Sequence, residues 1–86
     1  MRLDGKVAVI TGADRGIGKA TVERFVQEGA RVVAADLAPS GLQEFEKDER
    51  VAIVLGDVTK IDDVTRIVNT AVERFGKLDV LVNNAG

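Results

Sequence analysis

The 86-residue sequence contains no cysteine, histidine, tyrosine or tryptophan. Without cysteine the chain can form neither a disulfide nor a thiolate metal site, and without histidine it lacks the side chain that most often serves as a catalytic base or metal ligand. Without tyrosine it also lacks a phenolic acid or base. We therefore predict no metal site and no catalytic residue in this chain.

The sequence also lacks a large excess of either charge, and it lacks long apolar runs. The net charge is −2 and the basic residues form no run, which argues against binding to nucleic acid or to an anionic membrane. No apolar stretch approaches the roughly 18 residues of a membrane-spanning helix, and no signal core precedes the first apolar run. We expect a cytoplasmic protein with neither nucleic acid nor a membrane as its partner.

The sequence does contain a regular alternation of apolar runs and amphipathic segments. Short apolar runs predict strands at Lys6–Thr11, Arg31–Asp36, Val51–Leu55 and Leu78–Val82. Amphipathic segments predict helices from about Ile17 to Glu28, from Pro39 to about Lys47 and from about Lys60 to Phe75. The third helix carries an apolar stripe that we expect to face the core, whereas the second has only Leu42 and Phe45 as strong anchors.

Strands that are apolar on both faces and separated by helices indicate a parallel sheet with right-handed crossovers. We predict an α/β fold: a partial Rossmann fold, or doubly wound parallel sheet, with four strands in the order 3-2-1-4 and three helices. The first two crossovers should lie on one face of the sheet and the third on the other. The whole of 1–86 is then one dinucleotide-binding domain, shorter than the complete fold.

A glycine-rich turn, TGADRGIG, joins the first strand to the first helix. Gly12 can make the tight turn, Gly16 lets the backbone approach a phosphate, and Gly18 lets the helix pack near the strand. The free N–H groups and the dipole of this helix start favour a pyrophosphate. The remaining candidates in the turn are Asp14, Arg15, which can pair with an anion, and Ile17. A purely structural glycine turn stays open as the alternative.

Two aspartates follow at strand ends. Asp36 lies near the spacing expected for the acid that accepts hydrogen bonds from the adenosine ribose, and its charge would repel a 2′-phosphate. Leu37 follows it, so no basic residue is there to bind that phosphate, and NAD is favoured over NADP. Asp57 could accept a hydrogen bond from the adenine amino group while Val58 covers the ring. The alternatives are a solvated, helix-capping Asp36 and an Asx-turn or cap at Asp57, before Thr59.

Together, TGADRGIG, the strand-end Asp36, the Asp57-Val58 pair and the final NNAG resemble the short-chain dehydrogenase/reductase family. The resemblance implies a Rossmann fold and NAD(P)-dependent oxidoreduction of alcohols and carbonyls. It also implies that Asn83, Ala85 and Gly86 line the ribose of the cofactor and that Asn84 ties the central strands together. Structural stabilisation of this loop is the alternative.

The family carries a catalytic serine and a Tyr-x-x-x-Lys motif beyond NNAG, which these residues do not include. We therefore predict an NAD-binding half-domain without its own chemistry, with affinity of roughly 0.1–1 mM. The alternatives are a fragment of an NAD-dependent oxidoreductase that is active once completed, and a structural fragment that binds nothing. The uncovered sheet face and the edge of the fourth strand predict a homodimer or higher oligomer.

Overall fold

A computed structural model describes residues 3–13, 16–38 and 41–84. The strands are β1 (Val7–Thr11), β2 (Arg31–Asp36), β3 (Val51–Leu55) and β4 (Val80–Asn83), and the α-helices are α1 (Gly16–Gln27) and α2 (Ile61–Phe75). One 3₁₀ turn spans Gln43–Phe45. Within the described ranges, neither helix has the length and apolar character needed to cross a membrane.

The four strands form one parallel sheet in the order β3-β2-β1-β4. In the register of the sheet, Val9 of β1 lies beside Val33 of β2 on one side and Leu81 of β4 on the other. The predicted strand order and the predicted α/β class are therefore confirmed.

Each face of the sheet has its own hydrophobic cluster, because successive side chains of a strand point to opposite faces. On one face, Val22 and Val26 of α1 pack with Ile10 of β1 and with the 3₁₀ segment. On the other face, the buried side chains of α2 pack with Val9 of β1 and its neighbours. This division confirms that the first two crossovers lie on one face and the third on the other.

The prediction of three helices was wrong, because the described chain contains two. Between β2 and β3 the described residues form only the 3₁₀ turn, in which the Glu46 N–H donates to the Gln43 carbonyl oxygen at 3.2 Å. Both predicted anchors, Leu42 and Phe45, are buried. Since residues three apart already lie on one side of a 3₁₀ turn, two anchors at that spacing require no longer helix. The predicted helix start at Pro39 lies outside the described residues.

The apolar stripe of α2 faces the core only in part. Ile67 and Ala71 are buried, but Ile61 is 81% exposed and Val72 is 50% exposed. The helix packs mainly across β1, β2 and β3. On the same face of the sheet, Leu81 of β4 is 61% exposed. The sheet therefore covers only part of the apolar stripe. Exposed apolar side chains remain on α2 (Ile61 and Val72) and on the same face of β4 (Leu81), and we call them the apolar margin.

Candidate functional site

A cleft of about 230 Å³ opens where the carboxyl ends of β1, β2 and β3 meet. It is lined by Gly12, Ala35, Asp36, Leu37, Gly56, Asp57, Val58 and Thr59. In open parallel sheets, ligands bind outside the carboxyl ends of the strands, beside the point where the strand order reverses. The fold thus brings together five residues that the sequence marked separately, in three different connections: Gly12, Asp36, Leu37, Asp57 and Val58.

Among the described residues of the glycine turn between β1 and α1, Gly12 and Gly16 have positive φ, at 62° and 59°. A Cβ atom at Gly16 would have no heavy atom within 4 Å, so the backbone at the start of α1 faces open space. At Gly18 a Cβ atom would instead overlap the Gly12 carbonyl oxygen and lie 3.1 Å from the Ala13 Cα. The turn is therefore folded tightly against the helix while its outer side stays accessible to a ligand.

Asp36 is the last residue of β2 and one wall of the cleft. Its Oδ1 accepts a hydrogen bond from the Leu37 N–H at 2.6 Å, and its carbonyl oxygen accepts one from the Gly56 N–H at 3.0 Å. The Leu37 side chain is 70% exposed. Asp36 caps no helix in the described part of the chain, since the 3₁₀ turn that follows has Leu42 at its N-cap.

Asp57 forms an Asx-turn on the opposite wall. Its Oδ1 accepts hydrogen bonds from the Thr59 N–H at 2.9 Å and the Thr59 hydroxyl at 2.6 Å. The Thr59 hydroxyl bond, followed by the N–H bond, lowers the pKa of the Asp57 carboxyl below its ordinary value. Among the described residues, neither Asp57 Oδ2 nor the Val58 N–H has a hydrogen-bond partner. The turn thus uses one carboxylate oxygen and leaves one acceptor and one donor in two consecutive residues that line the cleft.

The exit of β4 is joined to the exit of β1 by a side-chain hydrogen bond. The buried Thr11 hydroxyl donates to Asn83 Oδ1 at 2.8 Å, and it lies 3.5 Å from the Val82 carbonyl oxygen. Asn83 does not line the 230 Å³ cleft. Asn83 thus links the exits of β1 and β4, and the role that the resemblance gives to Asn84 in tying the central strands together stays a prediction.

Several predicted site residues lie beyond this cleft. Gly16, Ile17 and Gly18 begin α1, and the Ile17 side chain is exposed. Asp14, Arg15, Ala85 and Gly86 lie outside the described residues. The roles proposed for all of these residues in cofactor binding stay predictions.

Sequence reasoning missed one carboxylate beside the site. Asp63, in the first turn of α2, accepts a hydrogen bond from the Asp57 N–H at Oδ2, with a distance of 2.8 Å. This bond is the main reason that the pKa of the Asp63 carboxyl is below its ordinary value. The available signal was an acidic first-turn residue placed to reach back to the preceding loop, as in a capping box.

The order β3-β2-β1-β4, the glycine-rich turn into α1 and an acidic residue at the end of β2 define the class of the protein: the nucleotide-binding half of a Rossmann-type fold. A family model described as short chain dehydrogenase matches residues 6–86. The chain belongs to the short-chain dehydrogenase/reductase family, whose members are oxidoreductases with an NAD(P)-binding Rossmann domain.

Individual relatives agree with this assignment. A cis-1,2-dihydrobenzene-1,2-diol dehydrogenase from Pseudomonas putida is 49% identical over 88 residues, which cover 100% of this chain and 32% of the relative. The apo form of glucose dehydrogenase of Caenorhabditis elegans matches with a TM-score of 0.93 at 39% identity, over 100% of this chain and 40% of that one.

A structure containing a cofactor is also similar. The 3-ketoacyl-(acyl-carrier-protein) reductase from Brucella melitensis, complexed with NADH, matches with a TM-score of 0.90 at 42% identity, over 98% of this chain and 36% of that one. The chain spans about a third of the length of the curated relatives that it matches.

Proposed function

We propose that this chain binds NAD through the adenosine and pyrophosphate parts of the cofactor and does not itself catalyse a reaction. The observation that carries the proposal is the cleft at the carboxyl ends of β1, β2 and β3, which unites Asp36, Asp57 and Val58 beside the glycine turn. Support comes from family membership and from the similarity to a reductase complexed with NADH. The absence of tyrosine supports the second half of the proposal.

The Asp57–Val58 wall suits the edge of adenine. Adenine presents an amino donor next to a ring-nitrogen acceptor, and this wall offers an acceptor, Asp57 Oδ2, next to a donor, the Val58 N–H. We propose that these two groups hydrogen-bond the base, while the Asx-turn to Thr59 keeps the Asp57 carboxylate in place.

Asp36 would select the dinucleotide. A carboxylate at the end of β2 accepts hydrogen bonds from the two ribose hydroxyls of NAD but repels the 2′-phosphate of NADP. The exposed Leu37 beside it offers no positive charge to offset that repulsion. We therefore propose a preference for NAD over NADP.

The start of α1 would hold the pyrophosphate. The helix has 12 residues, and its first N–H groups and dipole favour an anion at this end. Gly16 leaves the outer side of the turn open, so a phosphate oxygen can approach the backbone. NAD supplies a hydride acceptor when it is bound. We propose that this chain holds the cofactor mainly through its adenosine and pyrophosphate, and we therefore expect a dissociation constant of roughly 0.1–1 mM.

Titration calorimetry with NAD, NADP and ADP-ribose tests the proposal. We expect saturable binding of NAD and ADP-ribose, weaker binding of NADP, and about tenfold weaker NAD binding by Asp36→Ala. Glu49→Ala is the control, since it removes one exposed negative charge from a residue that does not line the cleft. Absence of saturable NAD binding up to about 5 mM would favour a structural fragment that binds nothing. An Asp36→Ala variant that binds like Glu49→Ala would remove Asp36 from the site.

A second candidate is that this chain is the cofactor-binding part of an active NAD-dependent oxidoreductase acting on alcohols or carbonyls. The names of the relatives, which include dehydrogenases and a reductase, favour it. Mixing the chain with a separately produced remaining part of such an enzyme and measuring NADH formation would distinguish it from a binding module.

A cytoplasmic location also stays a prediction.

We further propose that copies of this chain associate through the apolar margin of α2 and β4. Leu81, Ile61 and Val72 are exposed there, and the outer edge of β4 pairs with no other described strand. Exposed apolar surface beside an open strand edge promotes association.

Multi-angle light scattering at micromolar concentration tests this association. We expect a dimer or higher oligomer for the unaltered chain and a shift toward monomer for Val72→Lys, which puts a charge into the margin. Asn69→Lys adds the same charge at an exposed position on the polar side of α2 and should leave the molecular mass unchanged. A monomeric unaltered chain would contradict the proposal.

A further inference from the structure

We propose that Asp63 is a positioning residue for adenosine binding: it fixes the Asp57–Val58 wall of the cleft without itself contacting the ligand. The inference rests on the proposed function above, because it concerns the affinity of the same cleft. It adds a residue that does not line the cleft and that lies on a different element, α2.

Besides the Asx-turn between Asp57 and Thr59, three hydrogen bonds hold the described segment between β3 and α2. The Gly56 N–H donates to the Asp36 carbonyl oxygen at 3.0 Å, and the Lys60 N–H donates to the Asp57 carbonyl oxygen at 2.9 Å. Both bonds join backbone atoms. The third bond, from the Asp57 N–H to Asp63 Oδ2 at 2.8 Å, ends on a side chain. The Asp63 side chain therefore connects this segment to α2, and we infer that it determines where the segment lies.

The position of Asp63 is itself well defined. Its carboxylate lies in the first turn of α2, where the helix dipole favours a negative charge. Arg66 Nη2 lies 3.4 Å from Asp63 Oδ1. A Cβ atom at Gly56 would be 3.4 Å from the Asp63 Cβ and 3.2 Å from Arg66 Nη2, so these two side chains pack directly against the loop.

The bond to Asp63 matters for the groups that face the cleft. It directs the Asp57 peptide toward α2, and this orientation determines where the Val58 N–H that follows can lie. The Asp57 carboxylate is bound forward to Thr59 while its N–H is bound to Asp63, so the residue is held on both sides. Without Asp63 the Asp57 N–H loses its charged acceptor, and the acceptor–donor pair on the wall is no longer held in register with an adenine edge.

Four chains and two ligands test this role by calorimetry, with far-UV circular dichroism to confirm folding. The chains are the unaltered protein, Asp63→Ala, Asp63→Asn and Asp62→Ala. The ligands are NAD and its hypoxanthine analogue, in which an oxygen replaces the exocyclic amine. Asp63→Asn keeps an acceptor oxygen, and Asp62→Ala removes the same charge from the same first turn without touching Asp57.

We expect Asp63→Ala to weaken NAD binding about tenfold, Asp63→Asn to restore it to within about threefold, and Asp62→Ala to bind like the unaltered chain. The loss caused by Asp63→Ala should shrink for the hypoxanthine analogue, because at the exocyclic position that ligand presents an oxygen acceptor to the Asp57 carboxylate instead of an amino donor. In the free protein, the Asp57 amide proton resonance should move upfield in Asp63→Ala only.

Two results would overturn this inference but leave the proposed function standing. The first is an Asp63→Ala variant that binds NAD as well as Asp62→Ala does. The second is an equal loss of affinity for both dinucleotides, which indicates general destabilisation. If Asp63→Ala does not fold, Asp63→Asn is titrated with the two ligands instead. The inference requires that variant to retain NAD binding, so loss of NAD binding by a folded Asp63→Asn would overturn it. A complete absence of NAD binding by the unaltered chain is a different result. It would overturn the proposed function and this inference with it.

Discussion

At the scale of single residues, the glycine turn requires glycine at two positions for two different reasons. At Gly18 the reason is space, because a Cβ atom would overlap the Gly12 carbonyl oxygen. At Gly16 the reason is conformation, because φ is 59° while the space around a Cβ atom is empty. The same residue type therefore lets the helix lie close to the strand at Gly18 and allows a left-handed backbone conformation at Gly16.

Because the two glycines are required for different reasons, we expect their replacement by alanine to lower the free energy of unfolding by different amounts. We expect Gly18→Ala to lower the free energy of unfolding by about 3 kcal/mol, because backbone atoms must move to admit the methyl group. Gly16→Ala should cost about 1 kcal/mol, the usual penalty for a side chain in the left-handed region. Urea denaturation of both variants measures the difference. Equal losses, or a larger loss at Gly16, would show that the contact at Gly18 relaxes easily.

At the scale of elements, β4 is held at both of its ends. At its entry, the Asp79 N–H donates to the Val7 carbonyl oxygen at 2.8 Å, and Asp79 Oδ2 accepts from the Val7 N–H at 2.9 Å. At its exit, Thr11 bonds to Asn83. These side chains help to hold a strand of four residues that, among the described strands, pairs only with β1.

We expect Asp79→Ala to loosen β4 selectively. Amide hydrogen exchange of Leu81 and Val82 should accelerate roughly tenfold, because the Val7 N–H loses its charged acceptor, whereas exchange in β2 should change little. Lys77→Ala is the control, since it removes only the exposed ion pair of 3.1 Å with Asp79, and such pairs contribute little. Equal acceleration in β2 and β4 would indicate global destabilisation instead.

Among the elements, the strands could be predicted from the sequence more fully than the segments that connect them. The strands were predictable because each is a short apolar run, and in β1 and most of β2 the residues are buried on both faces. Both β2 and β3 begin and end at the predicted residues. The segment before β3 was not, because Leu42 and Phe45 satisfy a 3₁₀ turn as well as a helix. The apolar period of α2 predicted a helix but not how much of its stripe the sheet would cover.

The candidate site was predictable to the extent that strand ends mark it. Asp36 and Asp57 follow buried strands, and a parallel sheet brings such ends to one edge. The capping-box pattern indicates that an acidic first-turn residue can bond to the preceding loop, but it does not single out Asp63, because the neighbouring Asp62 carries the same charge in the same turn. Only the direction of the side chain distinguishes the two.

At the scale of the whole molecule, four carboxylates in the described part of the chain determine the pH response that we expect. Asp48, Asp57, Asp63 and Asp79 all have a pKa below the ordinary value of 3.8, and in each case the main cause is a hydrogen bond that the folded state donates to the carboxylate. The donors are the Arg50 side chain, the Thr59 hydroxyl and the backbone N–H groups of Asp57 and Val7, respectively. No histidine is present to titrate near neutral pH.

A group whose pKa is depressed by folding contributes stability above its unfolded pKa and loses that contribution as the pH falls through its folded pKa. We therefore expect the free energy of unfolding to be nearly constant from about pH 5 to 8 and to decline below about pH 4, as the unfolded chain takes up protons that the folded chain resists. Urea denaturation at a series of pH values measures this profile, and Asp79→Asn should make the acid decline shallower by removing one of the four carboxylates. A step in stability between pH 6 and 7, or a rise in stability on acidification below pH 4, would contradict it, because no histidine is available to cause the first and depressed carboxylate pKa values exclude the second.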